Sequence, residues 1–260
     1  PTPPNVQAGD SKLMWRIRFH DGTLVVEGGN LEQLPPGFRA DDRVGHPRGP
    51  AWLYPQVVTA ARAFQIPYKD ESQNYTRLDG IEPCATRTPR HYQREAVDTW
   101  HKCGRRGAVI LPTGSGKTFV AELAIAETAR STLVVAPTLD LVGQWHDRLK
   151  TAFGRPIGML GGGHHEIETI TVSTYDSATI HMGRYGDRFG LLVFDEVHHL
   201  GAPGYLSAAA ACIAPYRLGL TATWETDAER EDALTEIIGD VVYEKTITEL
   251  SGEFLADYET

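Results

Sequence analysis

Residues 111–118 read LPTGSGKT, and a glycine-flanked lysine followed by a hydroxyl restricts the possible folds more than any other stretch of this chain. Such a loop cradles a polyphosphate only where the backbone arrives from a strand and leaves into a helix, because its N–H groups then turn toward one point. The strict pattern G-x-x-x-x-G-K-[ST] has glycine where this chain has Leu111. That position ends the strand, so leucine is tolerated when the next turn supplies the curvature. Both flanks meet the requirement: AVIL precedes the loop and FVAELAIAETAR follows it. An ordinary glycine turn, the competing reading, explains neither flank.

The chain beyond the loop repeats the alternation that builds a parallel sheet covered on both faces by helices. Apolar runs at 108–111, 132–136, 168–175, 191–195 and 216–223 are separated by helical segments at 117–130, 138–152 and 205–213. In such α/β sheets ligands bind beyond the carboxyl ends of the strands. The run LLVFDEVHH falls there too, 195 − 117 = 78 residues after the loop lysine. Thr113, Gly114, Ser115 and Gly116 offer backbone N–H groups to phosphate oxygens, and Lys117 offers a cation. Thr118 and Asp195 suit Mg²⁺, which accepts few carboxylates, while Glu196 suits orienting and deprotonating a water. The pairs His164-His165 and His198-His199 suggest zinc, but adjacent histidines diverge and no further ligands stand at useful spacing.

Composition matters chiefly for the first third of the chain. Leu13, Trp15, Ile17 and Phe19 alternate with polar residues up to Asp21-Gly22, and Leu24-Val25-Val26 follow, which predicts a β-hairpin. A Pro/Gly-rich connection over 34–50 and a helix opening near Pro55 complete a small α+β module over 1–80. Residues 81–89 read as a linker. The net charge is −9, yet residues 1–88 carry ten basic and ten acidic residues, leaving 25 − 10 = 15 basic against 34 − 10 = 24 acidic for the rest. Contact with nucleic acid therefore needs a local groove, since no broad basic face exists. Cys84, Cys103 and Cys212 are odd in number and far apart, so reduced thiols are expected. No run reaches the roughly 18 apolar residues of a membrane span and no export signal opens the chain, which predicts no membrane partner and a cytoplasmic location, or a nuclear one in a eukaryote. The first residue is Pro1, from which a processed chain or a fragment is expected.

Gln93 in RHYQREA, then LPTGSGKT, VVAPTLDLVGQW, TVSTYDSA, FDEVHH and LGLTAT stand in an order that resembles the first RecA-like lobe of superfamily 2 helicases. The wording of VSTYDSA, FDEVHHL and RLGLTAT resembles the XPB family of DNA repair and transcription helicases. The resemblance covers residues 89–223, extends to about 245, and continues more thinly through the first 80, which are similar to the damage-recognition module of that family. It implies a RecA-like lobe over 90–245, a tail over 246–260, ATP and Mg²⁺ as cofactors, and DNA as partner. It further implies that Gln93 reads the adenine edge with help from Arg90 or Tyr92. Pro137, Thr138 and Gln144, and then Ser173 and Thr174, would lie along the nucleic-acid backbone, although a Thr or Ser after a strand is also the usual helix cap. Thr221 and Thr223, with His198 opposite, would link nucleotide state to strand movement.

One departure is notable: relatives carry an Arg-Glu-Asp triplet close behind LTAT, whereas Arg230-Glu231-Asp232 follow here only after WETDAE. An exposed charged helix is the plainer reading. Trp15, Trp52 and Tyr54 are candidates for stacking on bases, with core packing preferred for Trp15. No Q-x-x-G-R-x-x-R and no second sheet pattern precede Thr260, so half a motor is expected. A second RecA-like lobe would supply the missing arginines, whose loss costs on the order of 10³ to 10⁵ in rate in related systems. A repair nuclease or a transcription-repair protein is the expected further partner. Competing readings are an RNA helicase, a restriction-system motor subunit and a non-catalytic DNA-binding scaffold.

Overall fold

Burial follows the alternation at the start of the chain. In β1 (Trp15–His20) the side chains of Trp15 and Ile17 are buried, while Arg16 and Arg18 pair with Glu27 on the opposite face. The chain reverses at Asp21-Gly22 into β2 (Thr23–Glu27), which pairs antiparallel with β1 as the hairpin pattern predicts. The computed structural model describes residues 14–82, 87–202, 204–224 and 228–250. Leu13, residues 83–86 of the expected linker with Cys84 among them, and the tail beyond Leu250 lie outside the described residues.

The Pro/Gly-rich stretch is not a plain connection. It contributes β3 (Arg39–Asp41) and β4 (His46–Pro50), and β4 lies between β3 and β2. Its two prolines pair near the strand ends, Pro47 with Ala40 and Pro50 with Thr23, where a missing ladder donor costs least. After α1 (Tyr54–Ala63), β5 (Tyr68–Glu71) runs parallel beside β1 and closes a five-stranded sheet ordered β3-β4-β2-β1-β5. The module is therefore β-rich, with one helix over a core of Trp15, Ile17, Leu24, Val26, Tyr54 and Val57. Two stacking candidates are thereby removed: Trp15 is 1 % exposed, and Tyr54 is buried with its hydroxyl donating to Asp70 at 2.7 Å. Trp52 is half-buried between the two cores.

The second sheet is built from α2 (His91–Lys102), β6 (Arg106–Ile110), α3 (Lys117–Thr128), β7 (Thr132–Ala136), α4 (Leu139–Phe153), β8 (Gly158–Gly161), β9 (His164–His165) and β10 (Ile170–Thr174). It continues through α5 (Tyr175–Tyr185), β11 (Leu191–Asp195), α6 (Leu206–Ala210), β12 (Tyr216–Thr221), α7 (Ala228–Ile237), β13 (Val241–Glu244) and α8 (Ile247–Leu250). The strand order is β13-β6-β12-β11-β7-β10-β8-β9, and every pair is parallel except β8 with β9. Alternate strand residues face opposite cores. Val109, Val134, Val172 and Val193 pack under α2, α3 and α4, and Leu133, Val135, Leu192 and Phe194 pack under α5, α6 and α7. Arg230, Glu231 and Asp232 are exposed on α7, in agreement with the charged-helix reading. No described helix is long and apolar enough to cross a membrane.

The two sheets meet through the segment that follows α6. Ile213 enters the N-terminal core, and the Ile213 N–H donates to the Gly186 carbonyl at 3.0 Å. Backbone approaches so closely here that a Cβ on Gly186 would stand 2.0 Å from the Ala211 carbonyl oxygen and 2.7 Å from that of Met182. Both obstacles are main chain and cannot rotate away. On the other side of the junction, Leu78 donates to Ala129 at 3.0 Å and Thr76 to the Ser131 hydroxyl at 3.0 Å. Gly186→Ala is therefore expected to destabilise the protein by about 1–3 kcal/mol through overpacking, read as a lower urea midpoint at unchanged slope.

Candidate active site

A cleft of about 520 Å³ opens beyond the carboxyl ends of β6 and β11. Gly114, Ser115, Gly116 and Thr118 line it together with Asp195, so the loop and the acidic strand end share one rim, as their spacing predicts. Gly116 adopts φ 86°, a left-handed conformation from which α3 starts directly. A Cβ at this position would also stand 2.6 Å from the Gln93 amide nitrogen and would displace that side chain.

Arg90, Tyr92 and Gln93 hold the loop from behind. Tyr92 donates its hydroxyl to the Ser115 carbonyl at 2.6 Å, and the Gln93 amide donates to the same oxygen at 2.9 Å. The Arg90 guanidinium donates to the Tyr92 hydroxyl at 3.0 Å, and its backbone N–H to the Gln93 side-chain oxygen at 3.0 Å. Gln93 lines the cleft yet is only 5 % exposed. An amide carries two donors and two lone pairs, so any base contact has to share this group with the loop.

Lys117 projects from the first turn of α3. Its ammonium donates to the Leu111 carbonyl at 3.1 Å and stands 4.0 Å from the Glu196 carboxylate. Asp195 is 9 % exposed, and burial pushes its carboxyl above the usual range against a 2.7 Å hydrogen bond donated by the Trp145 indole. Glu196 takes φ 47°, an uncommon left-handed conformation for a residue with a side chain and one that recurs at sites that must aim a group. Its carboxylate accepts from the Thr221 hydroxyl at 3.2 Å. That hydroxyl also lies 2.7 Å from the Thr223 carbonyl and 3.0 Å from His198 Nδ1. Burial, and His199 beside it, hold the His198 imidazole below its usual pKa, so the ring is neutral near pH 7. A threonine hydroxyl has one proton, so it donates to Glu196 or to the Thr223 carbonyl, and His198 Nδ1 then serves as donor to it.

The expected backbone contacts divide. Thr138 is exposed at the start of α4 and accepts from the Leu141 N–H at 3.3 Å, with Pro137 half-buried before it. Thr174 is 7 % exposed and caps α5 by accepting from Ser177 at 3.1 Å. Ser173 is fully buried with its hydroxyl donating to the Thr174 carbonyl, so its side chain does not face solvent. Gln144, expected with this group, lines the cleft beside the loop instead. His164 and His165 form β9, and His165 meets the Tyr185 hydroxyl at 2.8 Å. Among the described residues no three His, Cys, Asp or Glu side chains gather to hold a metal.

Sequence reasoning missed Arg87, Arg148 and Trp145, which also line the cleft. Arg87 lies 4.7 Å over the Phe119 ring and 3.6 Å from the buried Glu122, to which Arg148 also pairs. Burial pushes the Glu122 carboxyl up to about 7, with Arg87 pulling the other way. The signal was present: Leu141, Gln144, Trp145 and Arg148 follow i, i+3, i+4, i+7 spacing and therefore share one face of α4.

Comparisons with known proteins match both parts of the chain. The family described as "Type III restriction enzyme, res subunit" matches residues 86–226, and the "Xeroderma pigmentosum group B helicase damage recognition domain" matches 17–71. The DNA 3'-5' translocase XPB2 of Sulfurisphaera tokodaii is 44 % identical over 170 residues, covering 65 % of this chain and 38 % of that protein. The DNA 3'-5' helicase XPB of Mycobacterium tuberculosis is 35 % identical over 247 residues, covering 89 % and 40 %. The chain thus spans about two fifths of the length of these curated relatives. In fold it is similar to the UvsW helicase of bacteriophage T4, with TM-score 0.53 and 17 % identity over 88 % of this chain and 99 % of that one. The chain belongs to the type III restriction enzyme res-subunit family and, within superfamily 2, to the XPB helicases.

Proposed function

We propose that this chain is the nucleotide-binding portion of an ATP-dependent helicase or translocase acting on double-stranded DNA in repair or transcription. The observation that carries this reading is the convergence of Lys117, Asp195, Glu196 and Thr221 on one rim. The residues fit ATP with Mg²⁺. The Ser115 hydroxyl is buried in the loop with no hydrogen-bond partner, and Thr118 and Asp195 present hard oxygen donors beside it. Thr118 and Asp195 would hold Mg²⁺, which neutralises charge that develops on the terminal phosphates.

The chain's own groups would then act as follows. Loop N–H groups and Lys117 orient the triphosphate, Lys117 exchanging its Leu111 contact for a phosphate oxygen. Glu196 takes a proton from the attacking water. Loss of the terminal phosphate changes what faces Glu196, and the Thr221 proton moves between Glu196 and the Thr223 carbonyl, with His198 following. The 3'-5' direction printed for relatives and a second RecA-like lobe with its arginines are carried to this protein as part of the same proposal.

Glu196→Gln in the full-length protein is expected to keep ATP binding and lower hydrolysis by about 10²–10⁴, as removal of a general base does, measured by phosphate release with and without duplex DNA. Unchanged turnover would remove Glu196 from the role. The double substitution Thr221→Ala with Thr223→Ala is expected to leave ATP hydrolysis within about threefold and abolish strand displacement, since it removes the hydroxyl relay and none of the phosphate ligands. Equal loss of both activities counts against coupling.

A further inference from the structure

Asp195 is touched from two sides by helices that begin at the surface proposed for DNA. From α4, the Trp145 indole N–H donates to the Asp195 carboxylate at 2.7 Å. From α5, the Tyr175 hydroxyl donates to the Asp195 backbone carbonyl at 3.0 Å. Neither side chain lies in the solvent: Trp145 is 4 % exposed and Tyr175 is 1 % exposed, with Tyr175 stacked on Phe194 at 6.2 Å between ring centroids. Each is close in sequence to a helix cap. Tyr175 directly follows Thr174, and Trp145 lies two turns beyond Thr138 on the rigid α4.

The two bonds fix different degrees of freedom. Tyr175 holds the main chain at the end of β11, and Trp145 holds one carboxylate oxygen, while the other oxygen accepts from the Glu196 N–H at 3.2 Å. A carboxylate that must meet an ion is then aimed before the ion arrives. Core packing alone requires neither donor. In place of Tyr175 a phenylalanine fills almost the same space, and in place of Trp145 a large apolar side chain would serve the packing, yet both side chains place a polar atom on Asp195.

We propose that Trp145 and Tyr175 are positioning residues for Asp195 that tie the metal-binding carboxylate to the starts of α4 and α5, so that a ligand seated on those helix starts is felt at the metal site. This route is separate from the Thr221–His198 relay, which reaches Glu196. It rests on the ATPase reading above.

The test uses the full-length protein with AMP-PNP titrated calorimetrically in Mg²⁺ and in EDTA, for wild type, Trp145→Phe and Tyr175→Phe. In Tyr175→Phe, whose side chain does not line the cleft, the metal-free affinity is expected to stay unchanged, and in both variants the Mg²⁺-dependent gain, the ratio of affinity with and without the ion, is expected to fall about tenfold or more, as loss of an outer-shell partner does. A duplex oligonucleotide is expected to raise that gain in wild type and to leave it unchanged in both variants, whose oligonucleotide affinity is retained. A gain within twofold of wild type in both variants overturns the positioning role. Wild type whose gain ignores the duplex overturns the link to the helix starts. Should Trp145→Phe fail to fold by thermal melting, Tyr175→Phe decides by the same criteria. A wild type that binds AMP-PNP no better with Mg²⁺ brings down the ATPase reading itself.

Discussion

The register of three adjacent parallel strands fixes the geometry of the rim. Ile110 pairs with Thr221, and Asp195 with Leu220, so β6, β12 and β11 end nearly level and their last residues meet. Side chains alternate with period two, and a one-residue slip of β12 would bring Leu220 to the place where Thr221 now faces Glu196. Two interactions deep in the sheet hold that strand. The Trp100 indole donates to the Arg217 carbonyl at 2.9 Å. The fully buried Arg217 guanidinium donates to the carbonyls of Ala214, Ala209 and Cys212 at 3.1, 2.9 and 2.7 Å. Burial lowers the Arg217 pKa to about 9, so it stays charged at neutral pH, satisfied by main-chain dipoles instead of a carboxylate.

Two of those carbonyls, of Cys212 and Ala214, belong to the segment that seats the N-terminal module, and the third, of Ala209, lies in α6 just before it. Ala211 stands so near Gly22 of the hairpin turn that a Cβ on Gly22 would come within 2.9 Å of its methyl group, and Ile213 enters the N-terminal core. One buried cation thus ties the base of the coupling strand to the docking segment. The second attachment, Thr76 to Ser131 and Leu78 to Ala129, binds the chain leaving the module to the turn before β7. The module is thus held at one place by the packing of the Ile213 side chain, and at the other by main-chain bonds from Leu78 to Ala129 and from Ser131 to Thr76, reinforced by the Ser131 hydroxyl.

What was legible in the sequence followed physical periodicity. Five parallel strands, β6, β7, β10, β11 and β12, declared themselves as apolar runs, because a strand buried on both faces has no polar side to interrupt it, whereas β8 and β13 did not. The loop and the paired acids were legible because phosphate chemistry demands those residue types at a strand end. In the N-terminal module β3, β4 and β5 were not. HPRGP and YKDE carry little intrinsic strand preference, and they are strands only because β1 and β2 offer edges to pair with. Within the site, the Trp145 bond to Asp195 joins residues fifty apart on different elements. The helical face that carries it could be read from spacing, but its partner depends on how α4 lies over the sheet.

The helix caps show how far a double role extends. A threonine hydroxyl has one proton and two lone pairs, so a capping oxygen that accepts from the backbone keeps its proton for another acceptor. At Thr138 the cap uses a lone pair only, and the exposed side chain retains a donor for a phosphate oxygen. At Thr174 the proton is already given to the Ser177 hydroxyl at 3.0 Å, and the residue is nearly buried. Capping and phosphate contact are therefore compatible at the start of α4 through the side chain. At the start of α5 the proposed contact has to come from backbone N–H groups or from a rearranged Ser177. A strand laid across both helix starts would press on α4 by a side-chain bond and on α5 by its main chain. These are the two elements whose next buried polar groups, Trp145 and Tyr175, close on the same aspartate.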